Sequence, residues 1–277
     1  MKIYTNVEAV PSRLAALVKL LAAKSPLPAA QLCALLQPRK DQGMADKIID
    51  TALEIDVIED SARGYVLTPA FASLPRDEDD DVSLRRAMGK AMLEPKLKGA
   101  QNGFAVLCAW LLTLEFEQMP ENHAGLKSAL EADGLSPEDL QVRNDARLDN
   151  VLYWARYLGL IYRLGEGMTG MLVPDPTEYL TLNLEQLVKP GEEVRAAEFC
   201  RRLGDLCPVL DGGKIRAAVV HLSSRPFPSN TFSPALSIAL ERLERRKLLL
   251  LSAPDDERSV MHLSGGRRRV AFLTRKL

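Results

Sequence analysis

The chain has 277 residues, 47% of them hydrophobic, 26% charged and 5% aromatic, and its 36 basic and 37 acidic side chains leave a formal net charge of -1. That is the composition of an ordinary folded protein, and it excludes a disordered tail, a fibre and a uniformly basic nucleic-acid coat. No run approaches the roughly 20 apolar residues of a membrane span. Lys2 is followed by a polar mixture unlike a secretory signal. The four cysteines, Cys33, Cys108, Cys200 and Cys207, are scattered as reduced thiols would be. A cytoplasmic protein without a membrane partner is expected.

The first expected domain covers 1–75. Leu14, Leu17, Val18 and Leu21 lie on one face of a helix opened by Pro11 and Ser12. Ser25-Pro26 breaks it. The spacing then predicts helices over 29–36, with Leu32, Leu35 and Leu36 inward, and over 44–55, with Ile48, Ile49, Ala52 and Leu53 inward. Val57-Ile58 and Tyr65-Val66-Leu67 flank a turn at 61–64 and read as a hairpin. Three helices and a hairpin predict a winged helix-turn-helix. Asp46, Asp50 and Glu54 on its third helix would repel phosphate, so this unit is expected to hold protein.

The dense acidic run at 76–81 predicts a solvated linker over 76–82. A central domain over 83–190 follows. Helical pieces are expected at 83–93, 104–118, 121–132 and 137–140. Leu148, Val151, Leu152, Ala155 and Leu158 then share one face of a helix over 147–158 that Gly159 stops. Strands at 160–164 and 171–173 make a second hairpin. Connecting helices are expected at 177–188 and 192–206.

The C-terminal domain is expected over 191–277. A helix over 214–222 should turn Ile215, Ala218, Val219 and Leu222 inward. Ser233-Pro234 is a helix start with a capping residue followed by proline, and Leu236, Ala239, Leu240 and Leu243 are its buried stripe. Strands are predicted at 248–251, 260–263 and 270–273. The fold class is therefore mainly α with short β-hairpins, in tandem winged helix-turn-helix modules.

The chemistry-bearing motifs are few. Gly165, Gly167 and Gly170 match a dinucleotide fingerprint, but the following Pro174 and Pro176 leave no helix to hold a pyrophosphate, so a hairpin tip is the favoured reading. Cys200 and Cys207 are spaced too widely for a zinc knuckle and read as core. His123, His221 and His262 make no metal-ligand or nucleophile spacing. No catalytic residue, metal or cofactor is assigned. Trp110, Tyr153, Trp154 and Tyr157 read as packing groups. Arg143, Arg147, Arg156 and Arg163 flank the last three, as a base-stacking platform would want, but packing is the favoured reading.

The charge is unevenly spread. Residues 200–277 hold 15 basic and 7 acidic side chains, net +8, against 21 and 30, net -9, in the preceding 199. Arginines on a wing suit phosphate contact and a recognition helix suits a groove. The expected nucleic-acid-binding residues are Ser233, Ser237, Arg242, Arg245, Arg246, Arg267, Arg268, Arg269, Arg275 and Lys276. The alternative is that Arg245 and Arg246 pair with Glu241 and Glu244 on a solvated helix.

The three helix-and-hairpin stretches resemble the winged-helix superfamily. Val10-Pro11-Ser12-Arg13-Leu14 followed by such a unit also resembles the DpdG family of bacterial clusters that place 7-deazapurines in DNA and restrict unmodified DNA. The resemblance implies an accessory role in DNA modification, restriction or phage defence, with the chemistry done by other subunits. The expectation is a non-enzymatic adaptor with double-stranded DNA and protein subunits as partners and a possible homodimer. The rivals are a scaffold that binds only protein and a ligand-responsive transcriptional regulator with its pocket near Trp110 and Trp154.

Overall fold

The computed structural model describes residues 6–38, 43–75, 81–94, 103–165, 170–223, 228, 230–266 and 268–276. The chain begins with three helices, α1 (Pro11–Lys24), α2 (Ala29–Leu36) and α3 (Met44–Glu54), followed by an antiparallel hairpin of β1 (Ile58–Ser61) and β2 (Gly64–Leu67). Pro11 fits the first turn of α1, where its missing N–H costs nothing. Leu14, Leu17, Val18 and Leu21 are all buried, as their spacing requires. On α2 only Leu32 is buried. Leu35 is 41% exposed and so does not join the core.

After α4 (Pro69–Ala72), the acidic run falls at 76–80, outside the described residues, and Asp81 opens α5 (Asp81–Leu93). Then come α6 (Gly103–Leu111), α7 (His123–Ala132), α8 (Asp145–Tyr157) and the antiparallel pair β3 (Ile161–Leu164) and β4 (Met171–Pro174). The helix expected over 104–118 is interrupted: α6 stops at Leu111 and only a 3-10 turn, Phe116–Gln118, follows. Residues 137–140 form turns. Asn122 and Asn144 cap α7 and α8, each accepting from a backbone N–H at 2.8 Å.

The remaining elements are α9 (Thr177–Leu187), β5 (Glu193–Arg195), α10 (Ala196–Leu206), α11 (Lys214–Leu222), α12 (Pro234–Arg245), β6 (Leu249–Ser252), β7 (Met261–His262), β8 (Arg269–Val270) and β9 (Phe272–Arg275). The expected 192–206 helix starts as strand instead. Val194 is buried opposite Leu273 while Glu193 and Arg195 point outward, and the three strands run in the order β5-β9-β6. β7 and β8 form a separate hairpin. On α11, Arg216 and Val219 are buried, whereas Leu222 is 63% exposed, so the expected stripe is rotated.

One apolar core runs through all of these stretches. α11 lies on α6, α12 on α9, and α5 on both α6 and α9. Trp154, on α8, is fully buried and donates its indole N–H to the carbonyl of Ala9 at 2.9 Å. Arg86 of α5 binds the carbonyl of Leu182. Burying a large apolar side chain is worth about 1.5–3 kcal/mol, so the core from Leu14 to Leu273 joins α1, α8 and α12 into one packed body. Among the described residues, no helix is long and apolar enough to cross a membrane.

Candidate nucleic-acid interface

The residues expected at a DNA surface divide by burial. Ser233 is 1% exposed: its hydroxyl donates to Asp211 Oδ2 at 2.7 Å and accepts from the N–H of Leu236 at 3.1 Å, while its own N–H donates to Asp211 Oδ1 at 2.9 Å. Ser237 is 5% exposed and accepts from the N–H of Ser264 at 2.8 Å. Ala235, Leu236, Ala239 and Leu240 are buried around them. This corrects the expectation of a groove-entering α12. A recognition helix presents its N-terminal residues to base edges, and here those residues are enclosed by the chain itself.

The arginines lie outside that core, and carboxylates meet most of them. Arg242 pairs with Asp175, Arg246 with Glu178 at 2.8 Å, and Arg245, with its side chain 78% exposed, with Glu241 at 3.6 Å. Arg268 clasps Glu244 and also donates to the carbonyl of Leu251 at 2.7 Å. The hydrogen bond from Arg268 holds the Glu244 carboxyl below its usual range. Arg268 thus ties the β7–β8 hairpin to α12. Arg269 donates to the carbonyl of Glu257 at 2.8 Å and Arg275 to that of Val188 at 3.2 Å. Arg269 and Lys276 are exposed. Arg267 lies outside the described residues.

Arg242 and Arg246 also line an open cleft of about 590 Å³ with three further arginines, Arg85, Arg156 and Arg163, and three tyrosines, Tyr153, Tyr157 and Tyr162. Among its described lining residues the carboxylates are Asp175 and Glu178, and Asp81 stands 3.9 Å from Arg85. The i, i+3, i+4 spacing of Tyr153, Arg156 and Tyr157 sets them on one side of α8. Gly159 then turns the chain. Its φ is +77°, and a Cβ there would stand 2.8 Å from the backbone nitrogen of Tyr179. The N–H of Gly159 bonds the carbonyl of Arg156 and that of Leu160 the carbonyl of Ala155, each at 2.9 Å, which is the Schellman ending that glycine permits. β3 follows with Ile161 buried and Tyr162 outward, beside the end of α8.

Within the cleft, the Arg85 guanidinium stands 5.5 Å from the centre of the Tyr157 ring and Arg242 stands 6.0 Å from that of Tyr162. Arg85 also donates to the carbonyl of Tyr157 at 2.8 Å. Burial, and then the hydrogen bond to Asp81, push the Tyr157 phenol well above its ordinary range, so it stays protonated. Tyr153 and Tyr162 are 44% and 43% exposed. Arg156 is exposed, and its guanidinium has no ionic or hydrogen-bonding partner among the described residues. Phosphate chemistry is what such a lining suits: several guanidiniums for oxyanions and aromatic faces for bases.

The sequence had set Tyr153, Arg156, Tyr157 and Arg163 side by side, and the structure places them in one cleft. Trp110 and Trp154 are core groups instead, each with its indole N–H satisfied, by Asp133 at 2.8 Å and by Ala9. Arg143 pairs with Glu138 and Arg147 with the carbonyl of Gln141, away from the cleft. Arg85, Tyr162, Asp175 and Glu178 escaped the sequence reading. Outward alternation in β3 marks Tyr162. Arg85 carries no local signal, since it meets Tyr157 from 72 residues away.

The other motifs resolve simply. Gly165 follows β3 and Gly170 precedes β4, Leu164 pairs with Met171, and residues 166–169, with Gly167 among them, lie outside the described ones. Cys200 and Cys207 are buried, the first against Met261 at 3.7 Å, and desolvation pushes the Cys207 thiol up to about 12. Among the described residues, no three histidine, cysteine, aspartate or glutamate side chains gather as a metal site would need.

A family model described as DpdG-like matches residues 1–257. No curated protein matches the chain, and no solved structure does.

Proposed function

The chain belongs to the DpdG-like family, and from that premise we propose that it is a non-enzymatic, DNA-associated adaptor of a bacterial DNA modification and restriction or phage-defence system, working in the cytoplasm among other subunits of that system. The observation that carries the reading is the cleft whose described lining sets five arginines, Arg85, Arg156, Arg163, Arg242 and Arg246, against two carboxylates, Asp175 and Glu178, with Asp81 meeting Arg85 from outside the lining at 3.9 Å. In this reading a DNA backbone crosses Arg156 and Arg163, and exposed Arg245, Arg269 and Lys276 extend the contact. The contact is electrostatic and largely indifferent to sequence. The winged-helix description of the modules belongs to the same proposal. It draws support from α1–α3 with the β1–β2 hairpin, and from α12 packed on β6 in a β5-β9-β6 sheet.

The test is fluorescence anisotropy with labelled duplex DNA over a salt series. Affinity should fall steeply as salt rises. Changing Arg156 and Arg163 together to alanine should weaken binding about equally for all sequences. It should also flatten the slope of log affinity against log salt by about 0.9 for each phosphate the protein no longer neutralises. Absence of DNA retention even at low salt would replace this reading with that of a protein-binding scaffold. The β3–β4 hairpin would then be its contact, because Leu164 and Met171 pair across it while 53% and 42% exposed.

A further inference from the structure

A second cavity, of about 370 Å³, adjoins the arginine cleft and shares Tyr153, Arg156 and Arg163 with it. Among the described residues, its other walls are largely apolar, with Val7, Val10, Ala146 and Leu152, and its polar edge includes Asp149. The volume lies within the roughly 300–1,000 Å³ of small-ligand pockets. We infer that this pocket receives one unstacked base of single-stranded DNA, with the flanking phosphates held on Arg156 and Arg163. The inference rests on the DNA-association reading above and names the form of DNA recognised.

Two features favour a single strand over a duplex. A duplex offers phosphates and groove edges but hides the faces of its bases, so an exposed tyrosine face beside a cationic track is of most use to bases already out of the stack. Tyr153 is that face. It stands on the boundary between the two cavities and is 44% exposed. The second pocket also offers a partner for a base edge. Asp149 lines it, with its carboxylate bound by His123 Nε2 at 2.9 Å, beside the shared Arg156 and Arg163. A carboxylate accepts from base amino groups and a guanidinium holds phosphate, so one nucleotide can use both.

The experiment compares the intact chain's affinity for a short single-stranded DNA, the matching duplex and the matching RNA, and adds photocrosslinking with 5-iodouracil in the single strand. Single-stranded DNA should bind about tenfold tighter than duplex, and the crosslink should map to Tyr153. Ala146→Trp, which fills the pocket from the solvent side of α8, should bring single-strand affinity down to the duplex level. Its thermal midpoint establishes that it is folded, and Tyr153→Ala, which removes the stacking face without filling the cavity, should lose the same preference. Equal affinity for single strand and duplex, with neither substitution acting on the single strand alone, overturns the inference and leaves DNA association standing. Binding of neither overturns both. Tighter binding of the RNA overturns the assignment to DNA.

Discussion

Ser233 stands where a helix cap, a buried carboxylate and a proposed DNA contact compete for one hydroxyl. Its burial at 1% decides for the first two. Asp211 accepts both the N–H and the hydroxyl of Ser233 and lies 3.6 Å from the guanidinium of Arg216, which is itself buried. Ser233→Ala removes the cap of α12 and leaves a buried carboxylate short of a donor, a loss of about 2–4 kcal/mol. Ser233→Thr, which keeps the hydroxyl, should recover most of it. Urea unfolding measures both. Full stability of the alanine variant with weakened DNA binding would instead restore Ser233 to the DNA surface. The capping role was readable from Ser233-Pro234 alone. The burial was not, because Asp211 arrives from 22 residues upstream.

At the level of elements, the cleft depends on how α8 ends. Gly159 holds a positive φ and touches the backbone at Tyr179, so it both stops the helix and lets α9 approach. Gly159→Ala is expected to cost about 1–3 kcal/mol through the strained φ and the overpacked contact. It should also shift β3, and with it Tyr162, away from Arg242. Differential scanning calorimetry gives the first quantity. An unchanged melting temperature would mean that the turn relaxes freely and does not set the cleft. The stop itself was evident in the sequence, since the apolar stripe of α8 runs to Leu158 and a glycine follows. β5 was not. Its three residues continue without a break into α10, and they are a strand only because β9, far downstream, pairs with them. The enclosure of α12 was hidden for a similar reason: a stripe of Leu236, Ala239, Leu240 and Leu243 shows that one face is buried but not that its first turns are covered on the others.

For the whole molecule, the division of charge at residue 200 describes the chain better than the surface. Asp175, Glu178, Glu192 and Glu198, from the acidic part, pair with Arg242, Arg246, Arg202 and both Arg201 and Arg202 from the basic part. Four arginines of the basic part are thus met by carboxylates of the acidic part within the fold. The same pairs make stability depend on pH. Hydrogen bonds from Arg201 and Arg202 hold the Glu198 carboxyl down to about 2, and Glu192 is lowered first by the N–H of Lys189 and then by Arg202. A carboxyl whose folded pKa lies below its unfolded value, near 4.5, binds fewer protons in the folded state. Its stabilising contribution is therefore complete above that unfolded value and is lost as pH falls through the folded one. Thermal midpoints followed against pH should hold steady from neutrality to about pH 5 and then decline towards about pH 2. Glu198→Gln should make the decline shallower. Because Glu198 and its arginines face solvent, added salt should weaken the difference between the two proteins. Parallel acid profiles for the two at low salt would show that the junction between β5 and α10 takes nothing from these charges, and that its stability comes from Val194, Phe199 and Leu203 in the core beneath.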